Sequence, residues 1–224
     1  MKKALALRAV LVLAALLIMS GPALAASFTL NQSGCCGTGP FGTVTLSQFD
    51  ANNVDILLTL SPGIGLVDTG SAAPGNHPDF AFTLAGAPVA VSITVLQSGG
   101  DGWNVYDQQS SPVAMSNSYG TYEFGLYCNG IPACSPGASN PNYGPVRFRV
   151  NSTGITENWF IANTAGTIFA ADIINGAPNG NGATGLVRAT AADRVITAVP
   201  EPATLMLVGA GLVGLAKRAR RKTL

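Results

Sequence analysis

Apolar and polar residues alternate along much of the sequence between Ser27 and Thr197, and this period of two is the feature that most constrains the fold. In PVRFRV (145–150), two valines and a phenylalanine fall on one face of an extended chain and two arginines fall on the other. The segments NVDILLTL (53–60) and VAVSITVL (89–96) show the same alternation. Because successive side chains of a β-strand point to opposite faces, each segment is predicted to be a strand with one buried face and one solvated face.

Turn-forming residues interrupt the alternation at short intervals, as in SPGIG (61–65), QSGGDG (97–102) and SPGASNPNYGP (135–145). Glycine permits positive φ, while proline, asparagine and serine favour turns for other reasons. A series of about eight to ten short strands with such breaks predicts a single antiparallel β-sandwich of jelly-roll-like type. One short helix is predicted at TENWFIAN (156–163), with Thr156 as its N-cap.

The N-terminus departs from this pattern and has the features of a secretory signal peptide. A basic start is followed by an apolar run over 9–19 and then by ALAA (23–26), which contains an A-x-A cleavage site. We therefore predict a signal helix within a signal peptide over 1–25, and a body over 26–199.

The body differs in charge from the two ends of the chain. The whole sequence has 12 basic and 11 acidic residues. Between residues 26 and 199, however, there are four arginines, no lysine and ten carboxylates, which give a formal charge of −6. A surface of that sign repels nucleic-acid phosphates, so we expect no nucleic acid partner.

All four cysteines lie in the exported body, where the compartment favours disulfides. Cys128 and Cys134 bracket the turn-rich stretch NGIPA, and we expect them to close a small local loop. The adjacent Cys35 and Cys36 are expected to bond to different partners rather than to each other, and free thiols are the alternative. No metal is expected, because these spacings differ from those of zinc fingers and His77 is the only histidine.

The body contains none of the short motifs that mark common catalytic sites, such as G-x-S-x-G, H-E-x-x-H or a P-loop. We therefore expect no catalytic residues and no cofactor. Carboxylates beside aromatic rings leave one alternative, a module that binds or cleaves carbohydrate, because glycoside hydrolysis needs only two carboxyl groups across a cleft. The residues of this alternative sugar site are Asp101, Trp103, Tyr106, Asp107 and Glu123.

Near the C-terminus, GAGLVG (209–214) matches the glycine pattern G-x-G-x-x-G of dinucleotide-binding folds. Those folds place a strand before the glycines and an acidic residue about 20 positions after them. Here Pro200 and Pro202 precede the segment, and no acidic residue follows Gly214. The glycines therefore do not indicate a cofactor site.

The same glycines belong to an uncharged, largely apolar run over 203–216 that is typical of a short membrane helix. As a helix it would be about 21 Å long, against a hydrocarbon core of about 30 Å. Ala210 and Gly214 are small residues four positions apart and would let another helix approach closely. A basic stop follows, which the positive-inside rule places in the cytoplasm: Lys217, Arg218, Arg220, Arg221 and Lys222.

The order of these C-terminal features, first Pro200-Glu201-Pro202, then the apolar run, then the basic stop, resembles the PEP-CTERM sorting signal of Gram-negative bacteria. The resemblance implies that an exosortase, a membrane-embedded enzyme, recognises Pro200, Glu201 and Pro202 and that processing occurs near this triplet. The sorting segment would span 200–224, with its basic tail at 217–222. An ordinary tail anchor is the alternative.

The body more loosely resembles uncharacterised PEP-CTERM proteins, through FGTVTLSQ, TIFAADI and GNGATG. Family members occur in bacteria that make exopolysaccharide and form biofilm. The resemblance therefore implies export across the inner membrane, a transient membrane tether during sorting, and a final place at the cell surface or in the extracellular matrix. There we expect a structural or adhesive role, with exopolysaccharide as a partner, rather than a catalytic one.

Overall fold

The computed structural model describes the chain in several ranges: residues 24–69, 78–86, 90–97, 102–107, 113–116, 119–128, 137–176 and 182–198, together with Gly211. Residues Ala25–Thr197 form one compact unit, which we call the β-domain. A second unit combines residues 1–24 and 198–224, most of which fall outside the described ranges. The boundaries of the predicted signal peptide, body and sorting segment stay predictions.

The β-domain is all-β and antiparallel, which confirms the predicted fold class at that level. Its strands are short, in keeping with the closely spaced turn residues. In chain order they are β1 (Leu24–Leu30), β2 (Gln32–Ser33), β3 (Gly42–Asp50), β4 (Asn53–Leu60), β5 (Ile64–Asp68), β6 (Phe80–Leu84), β7 (Ser92–Gln97), β8 (Trp103–Asp107), β9 (Val113–Ser116), β10 (Gly120–Tyr122), β11 (Phe124–Cys128), β12 (Gly137–Asn142), β13 (Val146–Asn151), β14 (Phe160–Ile161), β15 (Thr167–Asn175), β16 (Ala183–Thr190) and β17 (Arg194–Ala198).

Most of these strands belong to two large sheets. One is six-stranded, in the order β17-β1-β3-β4-β13-β7. The other is nine-stranded, with a main path of β12-β5-β15-β6-β11-β8; β14 lies beside β6, β16 beside β15, and β2 beside β16. β9 and β10 form a separate antiparallel pair.

Aromatic side chains from the two sheets meet in one core. Phe28 of β1 lies edge-on to Phe169 of β15, with 5.1 Å between ring centres. Phe148 of β13 lies 5.8 Å from Phe80 and 5.9 Å from Phe82, both on β6. Rings from both sheets therefore share one core. The β-sandwich and its jelly-roll-like type stay predictions.

Strand β13 shows how the alternation in the sequence builds this core. Val146, Phe148 and Val150 are at most 1% exposed, whereas Arg147 and Arg149 lie on the outer face. The edge strand β7 keeps the same alternation, with half-buried apolar side chains between exposed polar ones. Both observations agree with the faces predicted from the sequence.

The helix predicted at 156–163 was wrong in type and extent. The structure has one 3-10 turn over Glu157–Trp159, and Thr156 makes no side-chain cap hydrogen bond. The chain then becomes extended in β14, because Phe160 pairs with Leu84 of β6. The backbone groups that would continue a helix are therefore used in the sheet. The side chain of Phe160 is buried in the core.

Within the part of the chain that the structure describes, we find no helix with the length and hydrophobicity that a membrane crossing requires. The predicted signal helix lies outside the described residues. So does the predicted membrane helix over 203–216, except for Gly211, which has helical backbone.

Candidate functional site

The first and last strands of the β-domain lie side by side in the six-stranded sheet. The Thr197 hydroxyl donates to the Ala25 carbonyl oxygen at 3.5 Å, and the guanidinium carbon of Arg194 lies 5.6 Å from the ring centre of Phe28. The end of β17 therefore lies at the start of β1, and the two strands run antiparallel. The two ends of the β-domain thus lie side by side at one corner, the exit corner, which consists of Ala25, Ala26 and Thr197.

At the exit corner, β1 is enclosed by its neighbours. It lies between β17 and β3, and its register with β3 pairs Ala26 with Leu46. Ala25 is 6% exposed, and Ala26 is fully buried. Phe28 anchors the strand against Phe169 of the opposite sheet. The bond between residues 25 and 26, where we predict signal-peptide cleavage, is therefore covered in the folded sheet.

By contrast, β17 is an edge strand, and no other strand of the described residues lies on its outer side. Val195 and Ile196 are 55% and 59% exposed, although both are large and apolar. An edge strand has a backbone partner on one side only. More than half of the surface of Val195 and of Ile196 is therefore already open to solvent while β17 is paired with β1.

Side-chain contacts hold the start of β17 more closely than its end. A 3-10 turn over Ala191–Asp193 precedes the strand, and its final carboxylate accepts hydrogen bonds from the backbone N–H and the hydroxyl of Thr190, both at 2.8 Å. Arg194 then donates to the Asn158 side-chain oxygen at 3.0 Å. At the other end, the hydrogen bond from Thr197 is long, at 3.5 Å.

Elsewhere on the six-stranded sheet, one buried carboxylate, that of Asp55, binds two of the four arginines that lie between residues 26 and 199. Arg149 lies directly opposite Asp55 in the register of β13 and β4, and its Nε and Nη2 donate to the carboxylate at 2.5 and 3.1 Å. Arg147 Nη2 donates to the same carboxylate at 2.6 Å. Burial raises the pKa of Asp55, but the hydrogen bonds from both arginines outweigh this and hold its pKa below the ordinary value.

The arginine pair is therefore already neutralised in part. The Arg149 guanidinium also lies over the ring of Phe49, 3.5 Å from its centre. The sequence pattern does not predict this cluster. The alternation put Asp55, Arg147 and Arg149 on the outer face, but their contact depends on strand register, which the sequence pattern does not give.

The residues predicted for a sugar site are only partly within the described ranges. Asp101 lies outside them. Trp103 and Asp107 occupy the two ends of β8, about 13 Å apart along a strand that rises about 3.3 Å per residue. Trp103 is half-buried and packs against the core, so part of its ring is covered by protein.

The remaining sugar-site residues lie where β8 pairs with β11. The backbone of Tyr106 is opposite Gly125, and Asp107 is opposite Phe124, which follows Glu123. Asp107 is exposed and Glu123 is half-buried. The backbones of these two acidic residues are therefore close, but a sugar site built from them stays a prediction.

The expectation for the adjacent cysteines was wrong, because Cys35 and Cys36 are bonded to each other. In an extended chain their side chains would point apart. Here the chain turns directly after β2, and Ser33 Oγ accepts hydrogen bonds from the backbone N–H groups of Cys35 and Cys36 at 3.0 and 2.8 Å. The Cys36 carbonyl oxygen accepts a hydrogen bond from Asn175 at 2.8 Å, which ties the turn to β15.

The predicted disulfide between Cys128 and Cys134 stays a prediction, because Cys134 lies outside the described residues. Among the side chains that the structure describes, no group of three or more His, Cys, Asp or Glu residues is placed to hold a metal ion.

Comparison with known proteins identifies the segment that follows the exit corner. Residues 198–222 match the PEP-CTERM protein-sorting motif. The chain carries a PEP-CTERM sorting motif. This implies that it is exported, sorted at the membrane by an exosortase and then located at the surface. No curated protein and no solved structure matches the chain, and the resemblance of the body to uncharacterised PEP-CTERM proteins stays a prediction.

The PEP-CTERM match includes the predicted recognition triplet, the small-residue pair Ala210 and Gly214, and the basic stop. The individual roles of these residues stay predictions, because all of them lie outside the described residues. Gly211, which the structure does describe, is not one of them. In the sequence, the matched motif begins at Ala198, which is the last residue of β17.

Proposed function

We propose that the mature protein is a structural or adhesive component of the extracellular matrix of a Gram-negative bacterium, associated with exopolysaccharide and biofilm. The sorting motif over 198–222 carries this proposal, because it directs a compact all-β unit to the cell exterior. We interpret that unit as a jelly-roll-like β-sandwich. Its formal charge of −6 is spread over a lysine-free body, which favours solubility outside the cell.

In this proposal each terminal segment has one task. The signal peptide over 1–25 starts export, and the apolar run over 203–216 then enters the inner membrane as a transient tether. The basic stop at 217–222 stays in the cytoplasm. Pro200, Glu201 and Pro202 are read by the exosortase, while Ala210 and Gly214 let a helix of the enzyme pack closely against the tether.

We propose no reaction for the β-domain. One observation supports a structural role over the glycosidase alternative: the indole of Trp103 is partly buried and packs against the core, so only part of the ring is open to a sugar. An experiment can distinguish the structural role from the alternative, a carbohydrate-binding module. The residues of that alternative are Asp101, Trp103, Tyr106, Asp107 and Glu123.

Sorting is tested by replacing Pro200, Glu201 and Pro202 together with alanine. We expect this variant to keep its tail and to stay in the membrane fraction, because the recognition triplet is lost. A Thr223→Ala variant, altered just beyond the matched motif, is the control and should be processed like the wild type. Release of the triplet variant at the wild-type rate would contradict exosortase sorting at this site.

The matrix role is tested with a strain that lacks the protein, by measuring the mass and cohesion of its biofilm. We expect weaker biofilm, restored by the wild-type chain and also by a Trp103→Ala variant that is expressed and folded. Failure of Trp103→Ala to restore biofilm, together with loss of binding on a glycan array, would favour the carbohydrate-binding alternative.

A further inference from the structure

The folded β-domain and the sorting motif leave almost no chain between them. β17 ends at Ala198, and the recognition triplet begins at Pro200, so Val199 alone lies between strand and triplet. Four residues, 199–202, separate β17 from the apolar run that starts at Ala203. Fully extended, they span at most about 14 Å.

A length of about 14 Å leaves little room for an enzyme that must bind the triplet, because the folded sheet lies on one side of the triplet and the bilayer on the other. The headgroup layer alone takes up about 5 to 7 Å on each side of the hydrocarbon core. A peptide bound in an extended form also offers its backbone N–H and C=O groups to the enzyme. In the folded protein, the residues directly before Val199 already use such groups to pair with β1.

β17 is built so that it can supply the missing length. It is an edge strand with β1 as its neighbour, and Val195 and Ile196 are mostly exposed. Its start is tied by Arg194 to Asn158, whereas its end has the long hydrogen bond from Thr197. The side-chain contacts therefore hold its C-terminal end less closely, and the five residues of the strand span about 17 Å when extended.

We propose that β17 is a detachable strand that must separate from β1 before the exosortase can process the tail. This inference rests on the proposed sorting by an exosortase and adds a structural control to it. The equilibrium between paired and separated β17 then sets the fraction of molecules that can be processed. Once the tail is removed, β17 pairs with β1 again and closes the sheet edge.

The test locks β17 to β1 in the full-length chain with a disulfide between Ser27→Cys and Val195→Cys. The contacts of Thr197 with Ala25 and of Arg194 with Phe28 place residue 195 beside residue 27. Tail processing is followed by intact mass in membranes that contain the exosortase. We expect the locked protein to be processed at least about ten-fold more slowly than the wild type, which corresponds to about 1.4 kcal/mol.

Two controls keep the result independent of misfolding. Reduction of the locked sample should restore the wild-type rate, with the Val195→Cys single variant treated in parallel to account for effects on native disulfides. A flexible Gly/Ser linker of about eight residues inserted between Ala198 and Val199 should make processing of the locked protein as fast as that of the unlocked one.

Equal processing rates for the locked and unlocked proteins without the linker would overturn the detachable strand while leaving exosortase sorting intact. Absence of processing in the wild type itself would overturn the proposed sorting and, with it, this inference. A slow locked protein that the linker rescues supports both.

Discussion

β1 and β17 are the first and last strands of the β-domain in the sequence and are neighbours in the six-stranded sheet, but their environments differ. β1 is an internal strand, with Ala26 fully buried and Phe28 inserted between the sheets. β17 is an edge strand with Val195 and Ile196 exposed to solvent. The predicted signal peptide comes before the body that starts with β1, and the apolar run predicted to enter the membrane follows β17. Folding therefore encloses the strand at the N-terminal junction, while the strand at the C-terminal junction lies at the open edge of the sheet.

The largest expected difference between the two strands is in stability. Phe28→Ala removes a buried ring that contacts Phe169, and we expect it to lower the free energy of unfolding by about 3 to 5 kcal/mol. Val195→Ala, on the exposed edge strand, should change it by no more than about 0.5 kcal/mol. Urea unfolding of the secreted protein measures both. Similar losses in the two variants would contradict the contrast between an enclosed and an open strand.

A smaller effect is expected two strands further into the same sheet, at Asp55. Asp55→Asn removes a charge that holds Arg147 and Arg149, and the loss of stability at neutral pH should be about 1 to 3 kcal/mol. Because the pKa of Asp55 is lowered in the folded state, its contribution is present above the ordinary aspartate pKa, about 3.9, and is lost as pH falls through the folded-state value.

This pH effect is measured as the difference in unfolding free energy between the wild type and Asp55→Asn. The difference should shrink as pH is lowered from 6 toward the acid limit of the fold. Val195→Ala is the matched control on the edge strand and should show no such trend. A difference that stays constant down to acid unfolding would show that the Asp55 charge does not stabilise the sheet.

The smallest effect is expected for the contact that ties down the start of β17. Arg194→Ala removes the hydrogen bond to Asn158 and the contact over the Phe28 ring. A loss of about 1 kcal/mol in strand pairing should raise the rate of tail processing by about five-fold. The same substitution in a chain with the Gly/Ser linker should have no effect on processing. If Arg194→Ala leaves the processing rate of the chain without the linker unchanged, then the contacts of Arg194 with Asn158 and Phe28 do not limit processing.

The sequence predicted the features that depend on local order and missed those that depend on distant pairing. The alternation in PVRFRV placed the faces of β13 correctly, because strand periodicity is local. The sorting motif was also predictable, since its three parts follow one another in the chain. The adjacency of β1 and β17 was not, because it joins residues about 170 positions apart and leaves no trace in local pattern.

Two local predictions failed where the backbone serves a distant partner. The helix predicted after Thr156 is reduced to a single turn because Phe160 pairs with Leu84 of β6. Cys35 and Cys36 bond to each other because the chain turns directly after Ser33, whose hydroxyl accepts hydrogen bonds from both backbone N–H groups, and is not extended there.

The central claim is that this protein is exported and then processed at the sorting motif beside its exposed edge strand. Intact-mass measurement of the secreted protein tests it most directly. We predict a mature chain that begins near Ala26 and lacks the residues after the Pro200-Glu201-Pro202 region. Recovery of secreted protein that retains its tail through Leu224 would contradict the claim.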